Sequence, residues 1–323
     1  MSQEAIEAVF SCSSAYSHPL MLIASRNQID WDCGYVLTTK EYGEYIRELK
    51  RQYPDADVKI CRDHCGPGFR SGQDDLESLK NTIKSDLENG FKLIHFDLCR
   101  LEGSHEHQLE ATAELAKFAQ DIDSGVELEI GTDENTEYEA TLGRIRSDLE
   151  YFLKFCTPAF YVIPTGSLVK EARNVGTFRE EFMLDASEVV HEFGVNIKEH
   201  NADYLGKEEL LKRRGVIDAL NIAPQIGVLQ TSLLLNKARL YGVDTTEFEK
   251  VIWEGRNWEK WLLHGSSHDE LLCATLAGHY HYASSFYDNL IGALDEYIDT
   301  RSLIIEEVSD LILHYSEYFD ANS

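Results

Sequence analysis

Two segments of this chain place a histidine beside a carboxylate where an apolar, strand-like run ends. The first spans residues 61–68 and contains Asp63 and His64, and the second spans residues 198–204 and contains His200. A neutral imidazole is a good zinc ligand, and a neighbouring carboxylate can carry a proton. An α/β barrel keeps its chemistry at the carboxyl ends of its strands, so the two segments can meet around one metal ion.

Two further strand-like runs end in ionisable residues. His95 and Asp97 close the run 92–96, and the alternation of side chains along a strand sends both to the same face, either into a barrel lumen or towards the surrounding helices. Glu129 ends another run, and Asp133 follows it beyond a glycine turn. We expect Glu129 or Asp133 to complete a metal shell or to act as a second acid. Binding to a basic neighbour or capping of a helix would explain either residue equally well.

The polar residues around His200 have a second explanation. Asn201 and Asp203 are short side chains that favour helix caps, and Asp203 precedes the helix-like segment 206–209. We therefore expect Asp203 to cap the helix that follows, whatever the role of His200. A later histidine, His279, lies in a helical region, and contact of its side chain with a substrate is the minor alternative there.

Positive charge near the strand ends is relevant because a phosphorylated substrate would need it. Each of these residues could also be explained by a surface ion pair. The candidates are Arg26, Arg62, Arg70, Arg100, Arg173 and Lys198.

Composition excludes several classes of partner. The chain has 323 residues, of which 43% are hydrophobic, and its formal charge is −27 with a pI of about 4.7. Such a charge repels nucleic acid and anionic membranes, so we expect neither as a partner. No apolar run has the length of a membrane span, and the first residues lack the order of a signal peptide, which predicts a cytoplasmic protein. Seven cysteines without a Cys-x-x-Cys pair predict reduced thiols.

Short β-rich runs alternate with amphipathic helical patterns, which is typical of a parallel sheet. The predicted strands are 20–24, 57–61, 92–96, 126–130, 159–163, 195–198 and 219–222. The predicted helices between and after them are 76–87, 106–122, 138–155, 180–193 and 225–241. Seven strands are one short of a closed eight-stranded barrel.

The beginning of the chain decides whether a strand is missing. Ile6, Val9, Phe10 and Ser13 recur at helical spacing, which favours an initial helix and a TIM-type (β/α) barrel that lacks its first strand. The alternative is a strand over residues 8–12. We expect residues 1–242 to form the barrel and residues 243–323, which contain amphipathic helical stretches, to form a helical extension packed on it.

Six segments of the chain follow the order of motifs in a known family. They resemble the tagatose-bisphosphate aldolase non-catalytic subunit family, which is related in fold to the class II, zinc-dependent ketose-bisphosphate aldolases. The resemblance extends over residues 4–285. The segments are 21–29, 62–67, 94–97, 130–133, 199–204 and 277–280.

The resemblance implies a TIM-type barrel with roles for specific residues. Asp63 matches a proton-transferring aspartate and His64 a zinc ligand, while His200 resembles a second zinc histidine. The aldolases carry another histidine after the preceding strand, but this chain has Pro164-Thr165-Gly166-Ser167 there. If metal binds, we therefore expect a carboxylate to help, with Zn as the first choice and Mn or another divalent ion as alternatives.

These arguments give a complete set of candidate site residues. The predicted catalytic residues are Asp63, Glu129 and Asp97, and the predicted metal ligands are His64, His200 and Asp133. The predicted substrate-binding residues are Asn27, Arg26, Asn201, Asp203, Lys198 and His279.

Members of the resembled family are described both as helper subunits for an aldolase and as ketose-phosphate 4-epimerases. The resemblance therefore implies a metal-dependent C4 epimerase or aldolase that acts on a phosphorylated ketose by breaking and remaking the C3–C4 bond. The alternative is a non-catalytic partner that stabilises a class II aldolase, and a third possibility is an isomerase that moves a proton between C1 and C2. We expect a homo-oligomer or a complex with an aldolase subunit.

Overall fold

The computed structural model describes residues 2–72, 74–134 and 140–319. The seven strands of its main sheet begin where the predicted apolar runs begin or one residue later, and four short strands were not predicted. In chain order, the strands are β1 (Leu20–Ser25), β2 (Ile29–Asp30), β3 (Leu37–Thr38), β4 (Val58–Asp63), β5 (Leu93–Phe96), β6 (Glu127–Gly131), β7 (Phe160–Val162), β8 (Val169–Lys170), β9 (Arg173–Asn174), β10 (Asn196–Glu199) and β11 (Ala219–Leu220).

Seven of these strands form one curled parallel sheet, in the order β1-β4-β5-β6-β7-β10-β11. All seven predicted strands are thus confirmed. The neighbouring strands pair in parallel, for example with His95 of β5 opposite Glu129 of β6. Within the described ranges β1 and β11 do not pair with each other, so the sheet is an open half-barrel. The α/β class is confirmed, and the arrangement is consistent with a TIM-like fold, whereas a closed barrel is not observed.

Helices fill the intervals between the strands and most of the chain after residue 223. They are α1 (Gln3–Tyr16), α2 (Thr39–Gln52), α3 (Leu76–Glu88), α4 (His105–Ile122), α5 (Leu142–Phe152), α6 (Glu180–Glu192), α7 (Lys207–Arg213), α8 (Pro224–Tyr241), α9 (Thr246–Gly255), α10 (Glu270–Ala277), α11 (Ser285–Leu294) and α12 (Thr300–Phe319). The five predicted helices correspond to α3, α4, α5, α6 and α8. Residues 138 and 139, the first two of the helix predicted for 138–155, lie outside the described residues.

The chain begins on a helix, as the spacing of its apolar residues predicts. The Ser2 hydroxyl accepts a hydrogen bond from the Ala5 amide and caps α1, whose buried face includes Ile6 and Phe10. Ser17 ends the helix in a left-handed conformation, with φ of 54°. The alternative of a strand over residues 8–12 is therefore wrong, because the apolar residues there repeat every three or four positions and pack as one helix face.

The C-terminal helices share a hydrophobic core with the sheet. One buried cluster joins Phe10 of α1 and Leu22 of β1 to Cys273 of α10, Leu294 of α11 and Ile304 of α12. Helix α12 packs against α1, α8 and α7. The extension is therefore continuous with the core beside β1. Among the described residues, no helix is long and apolar enough to cross a membrane.

The shared core predicts how the chain responds to a cavity in α12. Replacing Ile304, which is fully buried, by alanine should lower the free energy of unfolding by about 2–5 kcal/mol, because buried methyl groups are lost and a cavity remains. If residues 1–242 and 243–323 unfold together, denaturant melts of the variant keep a single transition. The control is Leu240→Ala, since the Leu240 side chain is exposed. An early separate transition in Ile304→Ala would contradict the shared core.

Candidate metal centre at the carboxyl edge of the sheet

Three imidazoles meet at the carboxyl edge of the sheet. The ring centroids of His64 and His95 are 5.1 Å apart, those of His64 and His200 are 5.2 Å apart, and those of His95 and His200 are 5.0 Å apart. His64 follows β4, His95 lies on β5 and His200 follows β10. Because parallel strands end at the same edge, residues distant in sequence converge there.

His95 is the residue that the sequence prediction left out of the ligand set. Alternation along β5 placed His95 and Asp97 on one face, but it did not decide whether that face pointed to the site or to the helices. The structure places His95 in the site, where it lies beside the two predicted metal histidines. A third histidine is thus present, although the segment 164–167 contains none.

A carboxylate lies between the three rings. Asp63 Oδ1 is 3.7 Å from His64 Nε2, 3.4 Å from His95 Nδ1 and 3.7 Å from His200 Nδ1. Burial by itself raises the pKa of Asp63, but the surrounding imidazoles outweigh it and hold that pKa well below its usual range. Asp63 is therefore ionised at neutral pH.

The ring nitrogens that point away from Asp63 each have a hydrogen-bond acceptor. His64 Nδ1 lies 2.8 Å from Asp97 Oδ2, His95 Nε2 lies 3.0 Å from the Gly131 carbonyl oxygen, and His200 Nε2 lies 2.9 Å from Glu129 Oε1. When a metal ion binds, a proton on each outer nitrogen would leave the lone pair of each inner nitrogen free to ligate it. Outer hydrogen bonds to carboxylates and carbonyls are the usual way in which proteins orient metal-binding histidines.

Glu129 is held on its other side by a lysine. Lys198 Nζ lies 2.6 Å from Glu129 Oε2, and both side chains are buried. Burial raises the pKa of Glu129, yet Lys198, His95 and His200 together lower it to about 2. Lys198 was predicted to bind substrate. The structure places its ammonium group against Glu129, on the same carboxylate that His200 contacts.

A second carboxylate faces two of the imidazoles. Asp133 Oδ1 is 3.8 Å from His64 Nε2 and 4.0 Å from His200 Nδ1, and the Asn201 amide donates a hydrogen bond to the other oxygen of Asp133. His64 and Asn201 adopt left-handed backbone conformations, with φ of 42° and 58°. Such conformations are uncommon outside glycine and tend to occur at functional sites.

The donor atoms fit a divalent metal ion. One donor from each of Asp63, His64, His95 and His200 lies within 4.8 Å of the others, and a second set joins His64 to Asp97 and Asp133. Zinc bonds near 2 Å place the ligand atoms roughly 3.3 Å from one another, within the 4.8 Å that bounds the separations of these donors. His200 Nδ1 and Asp133 Oδ1 are buried without a hydrogen-bond partner, as expected for atoms that await a ligand.

The charges around His64 indicate what metal binding would require. Burial lowers the pKa of His64, but the carboxylates of Asp63, Asp97 and Asp133 raise it to about 10. The ring therefore carries two protons at neutral pH in the metal-free protein. A metal ion must displace one of them, so binding is coupled to proton release.

Two predicted substrate-binding residues lie in the loop after β1. The Arg26 guanidinium is buried and donates hydrogen bonds to the Gly66 carbonyl oxygen, at 3.1 Å, and to the Ser78 hydroxyl. Arg26 thereby ties this loop to the segment that follows His64. Asn27 is exposed and accepts a hydrogen bond from the Ser71 amide. In this structure both side chains link loops beside the site.

The segment where the resemblance implies a histidine forms a separate buried cluster. The hydroxyls of Thr165 and Ser167 donate hydrogen bonds to Glu199 Oε1, at 2.7 Å and 2.6 Å. Arg213 pairs with the same carboxylate. This segment therefore stabilises the end of β10.

His279 is buried in the extension. Its ring centroid lies 4.2 Å from that of Tyr280 and 6.5 Å from that of Trp261. Burial, together with nearby positive charge that includes Lys260, lowers the pKa of His279 well below its usual value. His279 is therefore neutral, and it is not one of the residues that surround Asp63.

Asp203 caps a helix, although not the one that its position in the sequence suggests. Asp203 Oδ1 accepts hydrogen bonds from the amides of Ala223, at 2.9 Å, and Gln225, at 2.8 Å, at the start of α8. The next helix, α7, begins at Lys207, and its N-cap residue Gly206 has no side chain to cap it. Only the approach of β11 to β10 brings the start of α8 next to Asp203.

Asp203 should make stability depend on pH. Burial raises its pKa to about 7 in spite of the amide hydrogen bonds, whereas an unfolded Asp titrates near 3.9. The folded state therefore holds a proton between these values that the unfolded state has lost, and the stabilisation disappears as the pH rises through 7. Asp203→Asn keeps the capping oxygen and cannot ionise. Its unfolding free energy relative to wild type should rise by on the order of 3 kcal/mol between pH 5 and pH 8. A difference that stays constant with pH would contradict this prediction.

Part of the chain matches a known family model, and several solved structures share its fold. Residues 1–159 match the sequence model of the class-II fructose-bisphosphate aldolase family. A crystal structure of a probable tagatose 6 phosphate kinase from Sinorhizobium meliloti 1021 is 17% identical, with a TM-score of 0.80 over 98% of this chain and 97% of that one.

Two further solved structures share the fold. Fructose-bisphosphate aldolase from Campylobacter jejuni is 14% identical, with a TM-score of 0.62 over 97% of this chain and 86% of that one. Fructuronate-tagaturonate epimerase from Cohnella laeviribosi is 10% identical, with a TM-score of 0.62 over 98% of this chain and 80% of that one. The resemblance to the class II aldolases predicted from the motifs is therefore confirmed, and residues 1–159 carry the sequence pattern of that family.

Proposed function

We propose that this protein is a metal-dependent C4 epimerase or aldolase that acts on a phosphorylated ketose. The observation that carries the proposal is the ring of three imidazoles around Asp63, with every outer nitrogen bonded to an acceptor. The names of the structural neighbours, an aldolase, a ketose-acid epimerase and a probable tagatose-phosphate kinase, support ketose chemistry.

We assign the metal to His64, His95 and His200. Asp133 remains our proposed additional ligand, because its Oδ1 atom is buried, unpartnered and directed towards His64 and His200. A divalent ion held there would polarise the carbonyl group of a ketose and stabilise negative charge on its oxygen. Zinc fits the imidazole-rich donor set, and manganese remains an alternative.

Asp63 is our candidate for the proton acceptor. Its side chain is 16% exposed, so a substrate hydroxyl can reach it, and its low pKa keeps it ionised at neutral pH. In the proposed reaction Asp63 takes the C4 hydroxyl proton as the C3–C4 bond breaks, which leaves an aldehyde fragment and an enediolate. When the bond forms again, Asp63 returns the proton to the C4 oxygen.

Asp97 and Glu129, predicted as catalytic from the sequence, act in this proposal through the histidines. Each is buried and accepts a hydrogen bond from the outer nitrogen of one imidazole, so each orients a ligand rather than meeting the substrate. The Thr132 hydroxyl also donates to Asp97, at 3.1 Å. Asp97 is thus held by His64 and Thr132, and Glu129 is held by His200 and Lys198.

The fate of the aldehyde fragment distinguishes the two activities. If the fragment stays bound, presents its other face and recombines, the configuration at C4 is inverted. If it leaves, the same bond cleavage is an aldolase reaction. The rival hypothesis of a helper subunit rested on the missing third histidine and on an incomplete barrel. His95 supplies a third imidazole, which supports the enzyme, whereas the open sheet is compatible with both hypotheses.

Metal content tests the proposal. Protein purified without an affinity tag should contain about one equivalent of zinc or manganese by elemental analysis, and His64→Ala, His95→Ala and His200→Ala should each lose most of it. His191→Ala is the matched control, because His191 pairs with Asp218 at an exposed position away from the three rings. A wild-type protein that binds no metal after incubation with several divalent ions would overturn the metal-dependent mechanism and favour the helper subunit.

Activity tests the role of Asp63. Asp63→Asn keeps the shape of the side chain but cannot accept the proton, so turnover should fall by about 10²–10⁴-fold. Interconversion of C4-epimeric ketose phosphates, followed by NMR with added metal, measures it, and trapping of free aldehyde distinguishes an aldolase. Asp123→Asn, at a site paired with Lys92, is the control. Full activity of metal-loaded Asp63→Asn would refute the assignment.

A further inference from the structure

We propose that Phe69 is a positioning residue of the metal centre, whose ring fixes the plane of the His64 imidazole. This inference rests on the proposed metal-binding function. The two rings are stacked, with centroids 4.7 Å apart and planes 14° apart. Within the described chain, His64 is the only one of the three proposed histidine ligands that has such a partner.

The stack supplies a restraint that the hydrogen bond of His64 cannot supply. The bond from His64 Nδ1 to Asp97 holds one atom of the ring, but the ring can still tilt about that bond. A tilt would turn Nε2 away from the inner nitrogens of His95 and His200. A flat aromatic surface at van der Waals distance blocks this tilt.

His64 needs this restraint more than the other two histidines. Its side chain is 19% exposed, whereas those of His95 and His200 are 1% and 3% exposed. Close packing holds the latter two rings on all sides. For the more exposed His64 ring, Phe69 supplies the packing contact that a fully buried ring would receive from its neighbours.

Phe69 is itself held in place by an arginine. The guanidinium carbon of Arg100 lies 4.1 Å from the Phe69 ring centre. Both the guanidinium and the imidazole therefore pack on the Phe69 ring. Arg100 also donates a hydrogen bond to the Gly68 carbonyl oxygen and pairs with Glu134. Phe69 is thus held by Arg100 while its ring packs against His64.

The loop that carries Phe69 is locked to the loop that carries Asp97. A Cβ atom on Gly66 would lie 1.6 Å from the Asp97 carbonyl oxygen, so only glycine allows the two backbones to approach so closely. Gly68 has φ of 79°, in the left-handed region, and packs on the Arg100 side chain. Phe69 and Asp97 therefore restrain His64 from two loops whose backbones are in close contact.

The inference predicts that removal of the aromatic ring weakens metal binding although no ligand is lost. In Phe69→Leu the side chain stays apolar but the flat surface is gone, and the zinc dissociation constant should rise by about 3- to 10-fold. The visible absorption bands of the Co²⁺-substituted protein should shift, because they report the ligand geometry. Phe69→Tyr keeps the stacked ring and should stay within about twofold of wild type.

Phe182→Leu is the matched control, because Phe182 is half-buried and carries the Arg179 guanidinium at the same 4.1 Å but touches none of the proposed ligands. Zinc affinity is measured by competition with a chromogenic chelator, and the unfolding temperature is measured on the metal-free protein. The proposal is supported if Phe69→Leu loses zinc affinity and changes the Co²⁺ spectrum while Phe182→Leu does neither.

Two other outcomes would overturn it. If Phe69→Leu lowers only the unfolding temperature of the metal-free protein and leaves the zinc affinity and the Co²⁺ spectrum unchanged, Phe69 is a packing residue and the metal function stands. If the wild-type protein itself binds neither zinc nor cobalt, the proposed function fails and this inference fails with it.

Discussion

The site depends on the close contact of one carboxylate with three imidazoles in a largely buried position. An isolated charge is costly to bury, and the cost is offset only when opposite charges and hydrogen bonds surround it. Asp63 lies 3.4–3.7 Å from all three rings, which lower its pKa, while carboxylates raise the pKa of His64. A divalent ion suits the same place, because its positive charge can replace the additional proton that the His64 ring carries.

This central cluster requires the support around it. Asp97, Glu129 and the Gly131 carbonyl accept from the outer nitrogens, and Lys198 balances the charge of Glu129. The supporting groups come from β5, β6 and β10 or from the turns after them, so the parallel register of the sheet sets their spacing. A shift of one strand by a single residue would send its side chains to the opposite face and dismantle the site.

The buried arginines show how so acidic a chain uses its few cations. Arg62 forms two hydrogen bonds of 2.7 Å with Asp86 deep in the structure, and Arg70 pairs with Asp30 at 2.9 Å. The strand-end arginines were considered as phosphate ligands from the sequence. Those that line the loops after β1 and β4 instead link these loops to each other, and the turn with Phe69 lies in the second of them.

The sequence by itself determined the seven strands, the helix at the start of the chain and the convergence of Asp63, His64 and His200, because periodicity and strand ends are local properties. Tertiary structure decided the rest. Alternation left two faces open for His95, and only the packing of the sheet turned it into the site. Contacts between distant segments, such as that of Asp203 with the start of α8 or of Arg100 with Phe69, have no local signal, since they depend on which strands and loops become neighbours after folding.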